Sequence, residues 1–282
     1  MRKKGPDFLG IGAQKAGTSW IYACLREHPQ IFFPMKEVHF FSRDRNWRKG
    51  YDWYESLFAK YPKNAVAGEY STSYLYHEKT PERIAARYPG VKLIVSLRNP
   101  IDRAFSNYIN DIKAGEISRN TSFRKALDEH PEYIEQGMYS KQIRRYLDSF
   151  SCERLLVLKY DDCHDDPQGF IQRIFSFLEV DRSYNPGMLE RRINTGQVPN
   201  SFLLNRMIRG CGVLLNKTGF EKVGWAIRRS GLPQKIRTWN SSKSVPGGSL
   251  SDEDRVKLYS QFSDDIKELE EMVGQEFHAW EQ

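Results

Sequence analysis

Nothing in the sequence approaches the ~20 consecutive apolar residues that a membrane-spanning helix needs. The charged opening Met-Arg-Lys-Lys-Gly-Pro-Asp holds no apolar leader core, so a soluble, cytoplasmic chain is the expectation. Cysteine is scarce: Cys24, Cys152, Cys163 and Cys211 are scattered, without a Cys-x-x-Cys pair. That argues against a disulfide framework and for free thiols in a reducing compartment. The six histidines show no metal-ligand spacing, so no metal is expected. Internal repeats and low-complexity linkers are absent as well, and 282 residues then read as a single α/β domain.

Basic charge is what the chain has in excess. The net charge of +7 favours anionic partners without choosing among nucleotides, acidic glycans, nucleic acid and lipid headgroups. Acid is nearly missing from 206–243, where nine Lys and Arg face one acid, Glu221. This run reads either as a solvated helical face or, with Phe220, Trp225 and Trp239, as part of an acceptor site for an anionic glycan or lipid headgroup. No nucleic-acid motif accompanies the charge, so no specific nucleic-acid partner is expected.

Apolar runs at Phe8–Ile11, Ile31–Phe33, Val66–Tyr70, Val91–Leu97 and Leu155–Leu158 read as strands. Helical patterns separate them: 18–28, 50–60, 81–88 with Thr80 as its cap, a helix from Asn99-Pro100, two more over 122–150, and one capped by Asp166-Pro167. Strands alternating with helices predict a three-layer, P-loop-like fold: a central parallel sheet flanked by helices over 7–180. Residues 185–282 are expected to be a mostly helical last third of the same domain. It ends in a long helix that starts at Ser251/Asp254, is striped by Val256, Tyr259, Phe262, Ile266, Leu269 and Val273, and stops at Gly274.

The most informative stretch is Asp7 to Trp20. A short apolar strand runs into the glycine-punctuated turn Gly12–Gly17, and Thr18 opens a helix. Loop N–H groups and the positive end of a helix dipole converge there on one anion, and Lys15, Thr18 and Ser19 add a charge and two hydroxyls. The spacing excludes a Walker loop, because the lysine precedes the second glycine instead of following it. A second anion site suggests itself after the strand Val91–Leu97. Arg98 stands at its carboxyl end, where open α/β sheets place ligands, and Ser106 follows roughly 10 Å further along the next helix. Both are candidates to grip one phosphate.

Gln14-Lys-Ala-Gly-Thr-Ser-Trp20 resembles the 5′-phosphosulfate loop of sulfotransferases. Arg98-Asn-Pro with Ser106 resembles that family's 3′-phosphate site. The resemblance implies 3′-phosphoadenylyl sulfate (PAPS) as cosubstrate, adenosine 3′,5′-bisphosphate as product and no metal. It places Lys15, Ala16, Gly17, Thr18 and Ser19 on the 5′ side, Arg98 and Ser106 on the 3′ side, and Trp20 either under the adenine or in the core. Glu37-Val-His39-Phe-Phe resembles the Glu-x-His-Phe-Phe segment of the glycan-modifying and bacterial branch, in which the glutamate is the general base. Glu37 and His39 are both read as facing the pocket, on the expectation that alternate residues of an extended segment share a face. Glu37 is favoured as base, and His39 is either the base or a group that orients Glu37. Arg191 and Arg192 are expected near a phosphate. One departure stands out: heparan-type enzymes carry a lysine after the glutamate matching Glu69, and this chain has Tyr70. The acceptor is expected to be a hydroxyl compound, including an anionic glycan or glycolipid. The competing readings are a non-catalytic nucleotide- or nucleic-acid-binding module and a P-loop kinase.

Overall fold

A computed structural model describes residues 5–59, 62, 64–189, 198–199, 241–242, 250–277 and 280. Five parallel strands form the main sheet: β1 (Phe8–Gly12), β2 (Ile31–Phe32), β3 (Val66–Tyr70), β4 (Lys92–Leu97) and β5 (Leu155–Lys159), in the order β2-β3-β1-β4-β5. β1 is central, and every one of its residues is buried. Its register pairs Leu9 with Glu69 on one side and with Leu93 on the other. Gly10 faces the Tyr70 ring so closely that a Cβ would lie 2.2 Å from it, so only glycine fits there. Among the described residues β5 is an edge strand and only its Leu158 is fully buried, although the run Leu155–Leu158 is apolar throughout.

From β1 the chain crosses to one side, to β2 and β3. From β4 it crosses to the other, to β5. The carboxyl ends of β1 and β4 therefore flank the point where the strand order reverses, the usual ligand crevice of an open α/β sheet.

The helices are α1 (Thr18–Glu27), α2 (Asp44–Trp47), α3 (Gly50–Ser56), α4 (Thr80–Ala85), α5 (Pro100–Ala114), α6 (Phe123–Glu129), α7 (Glu132–Glu135), α8 (Tyr139–Leu147), α9 (Asp162–Asp165), α10 (Pro167–Leu178) and α11 (Asp252–Val273). α1 and α10 bury Ile21, Cys24, Leu25, Phe170, Ile171 and Ile174 in one cluster with Phe8 and Ile94. Thr80 lies inside α4 and its hydroxyl meets His77 Nδ1, so it is not the cap the sequence suggests. The segment 122–150 holds three helices in place of two. Along α11 the buried residues are Leu258, Phe262, Ile266 and Leu269, while Val256 is 73% exposed, so the buried stripe begins two residues later, at Leu258. The expected caps do form: Ser251 Oγ accepts from Asp254 N at 3.1 Å, Asp166 accepts from Gly169 N, and Gly274 ends α11 at φ 62°.

The chain divides into two compact units. The first comprises 1–104, 132–193 and 255–282, and the second 105–131 and 194–254. This division falls elsewhere than the boundary near 185. Within the second unit Phe105, Tyr108 and Phe123 pack as an aromatic trio, and β6 (Val198–Pro199) pairs antiparallel with β7 (Ser241–Ser242). The rest of the basic run 206–243 lies outside the described residues. Among the described residues no helix is long and apolar enough to cross a membrane. Cys24, Cys152 and Cys163 are free thiols, and burial pushes Cys24 and Cys163 up to about 12.

Candidate active site

The turn after β1 is shaped by backbone conformation. Lys15 and Gly17 both take left-handed φ, at 72° and 73°. A Cβ on Gly17 would sit 2.1 Å from Cε2 of Tyr160, which follows β5. α1 then starts with Gly17 at its N-cap, without a side-chain cap and without an acidic residue in its first turn. The leading N–H groups of a helix have no partner within it, and their partial positive charge is uncompensated here. Ala16 and Thr18 are buried, while Lys15 and Ser19 are half-buried. Anion binding is what such a turn does well.

Arg98, at the carboxyl end of β4, reaches the same turn. Its Nη1 donates to the Lys15 carbonyl at 3.4 Å, and its guanidinium lies 5.6 Å from the centre of the Tyr160 ring. The Arg98 carbonyl is held in turn by the Tyr139 hydroxyl at 2.9 Å. The two turns singled out from the sequence thus meet at one crevice. Ser106 is half-buried on α5, in the part of that helix belonging to the second unit. Arg191 and Arg192 lie outside the described residues. Trp20 is 8% exposed, packs on Phe170 and donates from Nε1 to the Met188 carbonyl at 3.2 Å. Of its two expected settings, this is the core one.

The segment carrying Glu37 and His39 is not extended. Both residues take left-handed φ, 56° and 51°, so the alternation argument does not apply to them. They are brought together by other means. Glu37 N donates to the Tyr70 carbonyl at 3.0 Å, His39 N to Ser71 Oγ at 2.8 Å, and Phe40 N to the Tyr74 hydroxyl at 2.9 Å. These bonds strap the segment over the end of β3. His39 Nε2 then lies 4.0 Å from Glu37 Oε2, a charge approach too long for a hydrogen bond. His39 Nδ1 meets Ser73 Oγ at 2.7 Å, and Ser73 Oγ also meets Ser42 Oγ at 2.7 Å. The Glu37 side chain is 40% exposed and that of His39 is 9% exposed. Burial, followed by the Arg43 charge, pulls His39 below its usual value against the opposing pull of Glu37, so the ring is neutral at pH 7.

Under this strap sits a carboxyl group that the sequence marks only by its neighbours. Glu69 is fully buried and accepts from Ser71 Oγ at 2.6 Å, from the Tyr54 hydroxyl at 3.3 Å and from the Tyr74 hydroxyl. Burial outweighs these bonds and raises it to about 7. Tyr70 is buried with its hydroxyl directed at the Gly12 carbonyl at 3.4 Å, so this chain sets a neutral group beneath the loop.

A pocket of ≈ 320 Å³, counting the part open to solvent, adjoins the turn. Ala13 and Leu75 contribute apolar surface, and Gln14, Thr72, Ser73, Tyr76, Gln136 and Gln142 contribute hydroxyls and amides. Its wall reaches His39 through Ser73.

A sulfotransferase domain profile matches residues 5–196. Heparan sulfate glucosamine 3-O-sulfotransferase 3B1 of Mus musculus is 32% identical over 187 residues, covering 64% of this chain and 47% of the relative. Heparan sulfate glucosamine 3-O-sulfotransferase 6 of Homo sapiens is also 32% identical, covering 64% and 54%. The chain therefore spans about half the length of the curated relatives it matches. The crystal structure of a sulfotransferase from Alicyclobacillus acidocaldarius superposes with a TM-score of 0.72 at 24% identity, covering 100% of each chain, and shows the same fold. The profile takes in the turn around Lys15, the Glu37–His39 strap and Arg98 together, and on that match the chain belongs to the sulfotransferase domain family.

Proposed function

We propose that this protein transfers a sulfuryl group from PAPS to an acceptor hydroxyl. The observation that carries the reading is the bond from Arg98 to the Lys15 carbonyl, because it puts two anion-binding turns on one crevice. The residues fit the cosubstrate. Thr18, Ser19 and the leading N–H groups of α1 would take the 5′-phosphate. Arg98 would take the 3′-phosphate with a planar fork of donors.

In the reaction the sulfur–oxygen bond to the phosphate breaks and a sulfur–oxygen bond to the acceptor forms. Lys15 offsets charge growing on the departing oxygen. Glu37 accepts the acceptor's proton, being the more exposed of the two candidate bases. His39, buried, neutral and tied to Ser73, orients the acceptor side of the site.

The acceptor is a hydroxyl of carbohydrate type. The neighbouring pocket carries neutral hydroxyl and amide groups beside the apolar Ala13 and Leu75. Such a lining suits one polar ring better than a long apolar alcohol. The named relatives, which are glucosamine sulfotransferases, support the same class.

The test is calorimetry followed by turnover. The protein should bind adenosine 3′,5′-bisphosphate without magnesium and transfer labelled sulfate from PAPS to sugar acceptors. Lys15→Ala should lower kcat by ~10²-fold or more. Glu37→Gln should lose turnover yet still bind the bisphosphate, and if only His39→Ala is inactive, the base is His39. Failure to bind the bisphosphate, or magnesium-dependent turnover of ATP, would remove the reading.

A further inference from the structure

A cation outside both matched phosphate motifs reaches the crevice. Lys36, in the turn just before Glu37, places its Nζ 2.9 Å from Ser19 Oγ. Ser19 is the second residue of α1, where the helix presents its unpaired N–H groups. The ammonium also lies over the Tyr22 ring, with Nζ 5.6 Å from its centre.

Among the described residues the Lys36 ammonium forms no ion pair with a carboxylate. Glu37 beside it approaches His39 instead. A lysine drawn in to a helix N-terminus, without a carboxylate partner, adds like charge to the helix dipole, beside a turn that Arg98 also reaches. Such an arrangement is favourable once an anion occupies it. An ammonium carries three donors, and one directed at Ser19 leaves others for phosphate or sulfate oxygens.

We infer that Lys36 is a second cation of the 5′-phosphosulfate site, contacting the cosubstrate beside Ser19. The inference rests on the sulfotransferase reading. It gives the turn 36–39 two tasks, since one short segment brings a donor-side cation and an acceptor-side base to the same crevice. Lys36 then helps to disperse the charge that grows on the 5′-phosphate as the sulfuryl group leaves.

The test compares two probes that differ only on the 5′ side, adenosine 3′,5′-bisphosphate and adenosine 3′-monophosphate, by calorimetry on the full chain. Wild type should bind the bisphosphate more tightly. In Lys36→Met that advantage should shrink by about tenfold or more, the loss expected for one charge-assisted bond to phosphate, with monophosphate affinity unchanged. Lys36→Arg should keep most of the advantage. If Lys36→Met does not fold, Lys36→Gln makes the same comparison. An undiminished 5′ advantage in the variant overturns the inference, and so does an equal loss for both probes, which would make Lys36 a structural prop of Ser19. Wild type that binds neither probe overturns the sulfotransferase reading itself.

Discussion

Glu69 is a carboxylate to which three hydroxyl groups and the Val38 N–H converge, with no cation among the partners found for it. Its bonds favour the ionised form, and its burial disfavours that form more strongly, which raises it from 4.5 to about 7. A carboxyl raised on folding holds its proton longer in the native state. Native protein therefore binds more protons than unfolded protein between about 4.5 and 7, and stability falls as pH rises through that window. His39 works the other way: its value is lowered on folding, so its contribution is lost as pH falls through and below 6.5. Glu69→Gln isolates the first effect. From pH 5 to pH 7.5 the variant should gain on wild type by up to about 3 kcal/mol in urea unfolding, because the variant has nothing to deprotonate. Parallel stability curves would show that Glu69 titrates as an ordinary surface carboxylate. Activity should drop in the variant, because Ser71 and Tyr74 hold the backbone of His39 and Phe40 while bonded to Glu69.

The β1–α1 turn is the element whose sequence most directly dictates its shape. Gly17 meets two independent demands, a left-handed φ and the approach of Tyr160. Gly17→Ala should cost about 1–3 kcal/mol in thermal unfolding and weaken bisphosphate binding, because Tyr160, displaced, would push on the Arg98 guanidinium over its ring. Tyr160→Ala combined with Gly17→Ala should recover part of the loss by relieving the clash and leaving the backbone strain. No recovery would mean that strain alone accounts for it. This turn was legible because glycines and a lysine at fixed offsets after an apolar strand state both backbone and charge. The strap at 36–41 was legible in its chemistry and misread in its shape, since left-handed Glu37 and His39 carry no glycine to signal them. They hold that conformation because Tyr70 and Ser71, more than thirty residues away, accept from Glu37 N and His39 N, and Tyr74 accepts from Phe40 N beside them. Lys36 escaped for the same reason: its partner Ser19 is seventeen residues away on another element, with no local pattern between them. Edge position explains β5, whose side chains look core-like in sequence while, among the described residues, one flank of the strand has no neighbour.

At the scale of the molecule, the first unit closes on itself by bringing the end of the chain back to the crevice. Trp280 is 1% exposed. Its Nε1 donates to Asp161 Oδ2 at 2.7 Å, just past β5, and its carbonyl accepts from Asn99 Nδ2 at 3.3 Å, just past β4. Its ring packs on Phe277 at 4.3 Å and Tyr139 at 6.0 Å. Tyr139 is the residue whose hydroxyl holds the Arg98 carbonyl. One tryptophan therefore braces both turns beside Arg98 without touching the guanidinium. Removing a buried tryptophan costs about 3–5 kcal/mol, so Trp280→Ala should lower the unfolding midpoint sharply. Trp280→Phe keeps most of the packing and loses the bond to Asp161, and should fold. Its expected signature is selective: weaker binding of adenosine 3′,5′-bisphosphate, with the 5′ advantage over adenosine 3′-monophosphate intact, because the brace acts on the Arg98 side of the crevice. Equal loss on both sides would mean that Trp280 supports the crevice as a whole. Unchanged affinity would mean that Arg98 is held by Tyr139 and Tyr160 alone.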